Sequence, residues 1–319
     1  MKKLVLLASL FIVFGLAACD NETTIQETTT TYSFDQASAI KVYTRDTTSG
    51  TREAFFKGID FDDAVEDNAE LVSGYLEVDG NGSMISSISG DEYGIGYVSL
   101  SSLDDSGLTG LNFEGVEATI DNVLNNTYGL KRPFMYMTRI DWTGMETEEA
   151  IVEAFLAFMF TVEGKAIIAD KGGIIESSST DVSWDDIKAN YSVCDLDNSE
   201  ITIRFGGSTS VEKVAKGLSE AFSVKCGNFI ADHNHTGSGD AYKRVQGTEA
   251  DGANKLHIGF ASRDFKDSEP GATDTFGQIC WDAVVVVVNP VNNSLINITA
   301  EQIKKIYAGD VTTWNEISA

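Results

Sequence analysis

Ile40-Lys41-Val42-Tyr43-Thr44-Arg45-Asp46-Thr47-Thr48-Ser49-Gly50-Thr51-Arg52 opens on a short β-branched and aromatic run, then changes abruptly to hydroxyls and glycine. The run Ile40 to Thr44 reads as a strand, and a helical pattern over Arg52 to Gly58 follows the turn. The same succession recurs where Ile201 to Phe205 leads into Gly206-Gly207-Ser208-Thr209-Ser210-Val211 and a helical pattern over Val211 to Phe222. Thr236-Gly237-Ser238-Gly239-Asp240 precedes a further helical stretch, Ala241 to Val245. Val284 to Val288 is an unbroken valine run bounded by Asp282 and Asn289-Pro290. It reads as a strand buried on both faces, as in a parallel sheet. Glu148 to Asp170 and Ala300 to Tyr307 repeat apolar residues at helical spacing. Strands alternating with helices predict an α/β chain built of βαβ units.

The three strand–turn–helix junctions share one chemistry. Each puts hydroxyls and glycine at a helix start, where the first N–H groups lack partners inside the helix. Glycine lets a ligand approach the backbone, hydroxyls donate hydrogen bonds, and the helix dipole favours negative charge. A single such junction is usually an ordinary N-cap. Three in one chain, with Arg45 close before Ser49, predict several helix starts converging on one small oxyanion.

Composition bounds the rest. The chain has 319 residues, 42% hydrophobic and 10% aromatic, enough for about two domains with substantial cores. Its formal net charge of −26 excludes a basic face for nucleic acid or anionic lipid. It does not exclude a small anion, which local backbone dipoles hold. Lys2 and Lys3 precede the apolar run Leu4 to Ala18, too short for a membrane span and followed by Cys19. Residues 1–19 read as a secretory signal peptide. Residues 20–37 hold six Thr, four acids and no Lys or Arg, and read as a solvated tether.

Several strings resemble bacterial phosphate-binding proteins of the PstS family, the solute-binding components of phosphate ABC transporters. Val42-Tyr43-Thr44-Arg45 running into Ser49-Gly50-Thr51-Arg52 is similar to that family's signature. Gly207-Ser208-Thr209-Ser210 resembles its first phosphate loop, Gly237-Ser238-Gly239 its second, and Ile258-Gly259-Phe260-Ala261-Ser262-Arg263 its third. Ile95-Gly96-Tyr97-Val98, Arg132-Pro133-Phe134, Glu163-Gly164-Lys165 and Leu295 to Trp314 are similar to further family strings. Leu16-Ala17-Ala18-Cys19 looks like a bacterial lipobox, which implies lipidation of Cys19.

The resemblance implies an α/β, two-lobe periplasmic-binding-protein-like fold of type II, with the segments in an unusual order. In the family the Gly-Ser-Thr loop comes first and the Arg…Ser-Gly-Thr motif follows. Here the order is reversed, which implies a circularly permuted chain cut in the loop between Ile317 and Ile40. A fragment of a tandem duplication and a domain-swapped assembly of half-proteins are the competing explanations. On the permuted reading 136–285 form the first lobe, and 38–135 plus 286–319 form the second, with phosphate between them. The Trp314-containing end should then lie beside the Ile40-containing start.

The resemblance also assigns roles. Arg45 would pair directly with the anion, because guanidinium grips two oxygens at once. Ser49, Gly50 and Thr51 would donate from one helix start, Thr209 and Ser210 from the opposite lobe, and Ser238 from a third element. Ser262 stands beside the position where the family often carries a ligand-contacting acid. Arg263 occupies that position here, so discrimination against sulfate is in doubt unless Asp240 or Asp264 substitutes.

His233-x-His235 has no third ligand at useful spacing, so no metal or other cofactor is expected. Cys194, Cys226 and Cys280 remain beside Cys19, and Cys226–Cys280 is one possible disulfide, although sequence does not choose the pair. Neither Ser49 nor Ser238 has a nucleophile elbow around it, so no catalytic residue is expected. The function these readings imply is a non-catalytic, lipid-anchored protein on the extracytoplasmic face of the cell membrane. It would be a monomer that captures inorganic phosphate and hands it to ABC transporter permease subunits. The alternative is an anchored enzyme or sensor acting on a phosphorylated or other oxyanion ligand.

Overall fold

The computed structural model describes residues 34–317. The expected signal peptide, Cys19 and residues 20–33 of the expected tether lie outside the described residues. Residues 34–37, read as tether, belong to the body. The Phe34 ring packs 5.3 Å from Tyr93 and 5.5 Å from Trp314, and Asn315 N–H donates to Gln36 O at 2.8 Å. One aromatic among the threonines and acids is enough to dock the segment, since burying such a ring is worth about 2 kcal/mol.

Eleven strands occur among the described residues. They are β1 Lys41–Arg45, β2 Leu76–Val78, β3 Gly94–Ser99, β4 Thr109–Gly110, β5 Asn112–Phe113 and β6 Lys131–Thr138. The others are β7 Thr202–Gly207, β8 Ile230–His235, β9 Ile258–Ala261, β10 Phe276–Val288 and β11 Asn297–Ile298. Nine of them form one sheet in the order β2-β1-β3-β10-β6-β9-β7-β8, with β4 also on β10, while β5 and β11 pair separately. The outer parts, β2-β1-β3 and β9-β7-β8, are parallel. The middle is antiparallel, because β10 runs against both β3 and β6. That corrects the parallel reading of the valine run. β-Branched side chains fit a pleated surface whichever way the neighbour runs, so burial on both faces does not specify direction. Burial itself is as expected: Val284, Val286 and Val288 enter one core, while Val287 packs with Tyr43, Met84, Ile88 and Val98 on the other face.

Two large hydrophobic cores lie along this sheet. One is centred on Phe55, Phe56, Tyr97 and Tyr307, with Phe55 stacked on Tyr97 at 4.0 Å. The other is centred on Phe155, Phe158, Phe205 and Phe222. β10 feeds both, giving its valines to the first and Ile279 and Cys280 to the second. β6 enters the second core at Phe134, directly after Leu130 closes on the first. At the changeover Arg132 of β6 stands opposite Asp282 of β10.

The helix expected over Glu148 to Asp170 is two helices, Glu146–Met159 and Val162–Asp170. Thr161 breaks it: its hydroxyl donates to Phe158 O at 2.7 Å and accepts from Gly164 N at 3.1 Å, capping the second helix. A Cβ on Gly164 would stand 2.2 Å from Phe158 O, so only glycine permits the tight corner.

The two ends of the described chain meet. Ala39 bridges Thr313, and Ile40 N–H donates to Thr312 O at 2.8 Å. The disulfide joins Cys194 to Cys226 and not Cys226 to Cys280. Cys280 lies on β10 as a buried free thiol, held well above its usual pKa by desolvation. Among the described residues no helix is long and apolar enough to cross a membrane.

Candidate functional site

β1 delivers Arg45 to the sheet edge, where its chain turns through Asp46 into the helix Gly50–Gly58. Ser49 caps that helix, its Oγ accepting from Thr51 N and Arg52 N at 3.2 and 3.3 Å. The hydroxyl hydrogen of Ser49 is left for another acceptor. Arg52 braces the turn from below by donating to Arg45 O at 2.8 Å and to Ala64 O. Arg45 itself is 1% exposed. Its Nε donates to Val78 O at 3.2 Å and its Nη2 to Asp79 O at 2.9 Å, while Nη1 is buried without a partner. Burial pushes this guanidinium below its usual pKa, and the nearby Arg132 charge adds to that.

The second loop leaves β7 at Gly207, whose φ of +102° and Cβ position 2.3 Å from Phe260 O both require glycine. It carries Ser208 and Ser210 to the start of the helix Glu212–Ser223. The third junction places Ser238 at the start of Gly239–Val245, and Ser262 follows β9. These pieces touch. Thr51 Oγ1 lies 3.0 Å from Ser210 Oγ, and Ser238 Oγ lies 3.2 Å from Ser262 Oγ. Ser208 Oγ donates to Ser262 Oγ at 2.9 Å, and Gly239 N–H donates to Thr48 O at 3.1 Å. A Cβ on Gly50 would fall 2.3 Å from Ser238 Oγ, so the first and third junctions pack as closely as backbone allows.

The structure therefore brings Arg45, Ser49, Gly50, Thr51, Ser210, Ser238 and Ser262 into one buried cluster. It leaves out the Thr209 side chain. Thr209 is half-buried on the far side of its loop, facing Gly80 in a groove of about 770 Å³ lined by Asp46, Glu77, Asp79 and Glu212.

Four cluster members were not among the expected site residues. Asn81 Nδ2 donates to Ser210 Oγ at 3.0 Å. Arg132 donates from Nη2 to Ser210 Oγ at 2.9 Å and from Nη1 to Ser262 Oγ at 3.2 Å. Its Nε and Nη2 also hold Asp282 Oδ2 at 2.9 and 2.7 Å, where Ser99 Oγ donates at 2.8 Å. Burial pushes the Asp282 carboxyl up, and Arg132 acts against that shift. A signal existed for Asp282, the one charged residue of the valine-rich β10, because such a residue demands an opposite charge.

Arg263 is turned away from the cluster. Its Nη1 and Nη2 grip Glu269 at 2.6 and 2.9 Å, and its Nε holds Glu53 at 2.9 Å. Asp264 is exposed, and Asp240 accepts from Thr236 Oγ1. Glu53 lies on the Gly50–Gly58 helix and Arg263 follows β9, so their pair ties the two cores beside the cluster. His233 and His235 stack and bond to each other, and His235 Nδ1 donates to Ser208 O at 3.0 Å. Among the described residues no group of three or more His, Cys, Asp or Glu could hold a metal.

The charge balance decides what the cluster can hold. Two buried guanidiniums face one fully buried carboxylate and the partly exposed Asp46, 3.8 Å from Arg45 Nη2, and one guanidinium nitrogen is unpaired. Such a site is completed by an anion.

Residues 194–319 match the family model for a PBP superfamily domain. The phosphate-binding protein PstS 2 of Streptococcus pneumoniae is 28% identical over 323 residues, covering 99% of each chain. The chain is PstS-like. Its likeness extends to PstS 2 of Streptococcus agalactiae, 26% identical over 95% of this chain and 93% of that one. A solved phosphate-binding protein of a Streptococcus pneumoniae phosphate ABC transporter is 25% identical with a TM-score of 0.62, covering 88% of this PstS-like chain and all of that one. The fold is thus the mixed α/β one of the PBP superfamily. The pneumococcal PstS 2 alignment runs end to end, so that relative shares this segment order and no permutation separates the two.

Proposed function

We propose that this PstS-like chain is a non-catalytic solute-binding protein that captures one inorganic phosphate between two lobes for an ABC importer. The observation that carries the reading is the buried, unpartnered Nη1 of Arg45 among converging hydroxyls and helix starts. The names of the streptococcal relatives support phosphate as the anion. Residues 136–285 make one lobe, and 38–135 with 286–319 make the other, a division the two hydrophobic cores support except that Phe134 packs in the core of the former and Ile174, Ala283 and Val284 in that of the latter. The ligand-holding set is Arg45, Ser49, Gly50, Thr51 and Ser238 with the loop at Thr209, while Ser210 and Ser262 orient the hydroxyls of Thr51 and Ser238 from behind. The protein is a monomer held by a lipid on Cys19 at the extracytoplasmic face of the membrane, where it meets its permease. The segment order is permuted relative to family members that begin with the Gly-Ser-Thr loop, and the meeting of Ala39 with Thr313 supports that reading.

Calorimetric titration of the body with phosphate, sulfate and arsenate tests the proposal. One phosphate per chain is expected, without turnover of a phosphomonoester. Absence of phosphate binding by the folded protein refutes it.

A further inference from the structure

We infer that Arg132, anchored by Asp282, fixes the direction of the hydroxyl hydrogens in the site, so that Ser210, Ser262 and Ser238 offer no lone pair to a ligand proton and the site favours the phosphate dianion over the monoanion. The inference rests on the phosphate reading and deepens it by naming the ionic form selected.

The argument is a count of lone pairs. A hydroxyl oxygen has two lone pairs and one hydrogen, and a guanidinium only donates. Asn81 is oriented by Ser99 N–H, which donates to Asn81 Oδ1 at 3.2 Å, so the amide NH₂ must face Ser210. Ser210 Oγ thus accepts from Asn81 and from Arg132, and both its lone pairs are used. Its own hydrogen goes to Thr51 Oγ1, which releases the Thr51 hydrogen outward and leaves Thr51 Oγ1 one lone pair.

A second chain behaves alike. Ser262 Oγ accepts from Arg132 Nη1 and from Ser208 Oγ, so its hydrogen goes to Ser238 Oγ. Ser238 Oγ already accepts from Ser262 N–H at 3.0 Å, and its own hydrogen is therefore also released. Both chains start at one guanidinium and end on hydroxyls beside Gly50. Asp282 Oδ2 is itself saturated by Arg132 and Ser99, and Asp282 holds the guanidinium in place across the β6–β10 pair. Arg132 is therefore a positioning residue, acting on the ligand through Ser210 and Ser262. The single proton of a phosphate dianion can be taken by the one lone pair left on Thr51 Oγ1, and the second proton of the monoanion finds none on Ser210, Ser262 or Ser238.

The test compares the wild-type body with Arg132→Met/Asp282→Asn, which removes both charges together, and with Asn81→Ala, which frees one lone pair of Ser210 and leaves the ion pair intact. Titrations with phosphate and sulfate are run from acid to mildly alkaline pH, with circular dichroism to verify folding. In the wild type, affinity for total phosphate should fall by roughly tenfold per pH unit as the dianion is protonated, while sulfate affinity stays level. Both variants should flatten the phosphate profile, Asn81→Ala the less strongly. Adding Ser210→Ala should weaken phosphate roughly tenfold in the wild type and less than about twofold in the charge-free variant.

A wild type that binds phosphate with a flat pH profile overturns this inference alone. Equal Ser210→Ala penalties in the two backgrounds overturn it as well. Should the charge-free variant not fold, an Asn81→Ala profile as steep as the wild type overturns it. A folded wild type that binds no phosphate removes both the function and this inference.

Discussion

Replacing Arg45 with methionine separates binding from stability, because this side chain is only partly satisfied without ligand. Two of its nitrogens donate to Val78 O and Asp79 O, and the third is buried with nothing to bond. Losing two charged-donor bonds costs at most about 3–6 kcal/mol. Removing a buried charge with an unpaired face returns several kcal/mol of desolvation. The two effects nearly cancel, and the unliganded variant should unfold within about 2 kcal/mol of the wild type in a denaturant titration. Phosphate affinity should nevertheless fall at least tenfold, the scale of one charge-assisted bond of about 1.5–3 kcal/mol. Calorimetry on the same samples reads that loss. Unchanged phosphate affinity with an intact fold would take Arg45 out of the site. A drop of more than about 4 kcal/mol in stability, with normal affinity in the folded fraction, would make it a structural residue only.

Glu53→Gln should weaken phosphate by a few-fold in calorimetry without disturbing the hydroxyl cluster, because Glu53 joins Arg263 at 2.9 Å and Lys266 at 3.5 Å across the two cores. Replacing Cys194 and Cys226 with serine should lower stability by roughly 3–4 kcal/mol in denaturant, the chain-entropy value for a crosslink spanning 32 residues. The three histidines are held low by burial, His233 to about 3 and both His235 and His257 to about 4. The unfolded chain takes up their protons near pH 6.5 and the folded chain does not, so stability is full above that pH and lost as pH falls towards about 4. Thermal midpoints between pH 7 and 5 should fall less steeply in His233→Asn/His235→Asn than in the wild type; identical slopes would contradict this.

Local sequence carried the α/β class and three of the site's loops. Glycine and hydroxyls marked the three junctions one at a time, though only Ser49 caps its helix, while Ser210 and Ser238 set their hydroxyls against those of Thr51 and Ser262. Strand direction was not legible, since the valines of β10 pack equally well on antiparallel neighbours. Nor was the bend at Thr161, where a side-chain bond to Phe158 O competes with helix continuation. The Arg132–Asp282 pair escaped because its partners are 150 residues apart and meet only through the β6–β10 register. Spacing alone does not say whether Thr209 or Ser210 turns into the cluster; the structure turns Ser210 there and sets the Thr209 side chain against Gly80. Arg263 stood where an acid was sought, yet two glutamates claim its guanidinium.

The pairing of Ala39 with Thr313 has a mechanical consequence. Both ends of the described chain are stitched to the core that holds Trp314 and Ile317, next to the docked ring of Phe34. A force applied to the start of the body is therefore borne by that half alone and passes into it through β1, the strand that ends in Arg45. The other half, joined through β6 and β10, carries no share of the load.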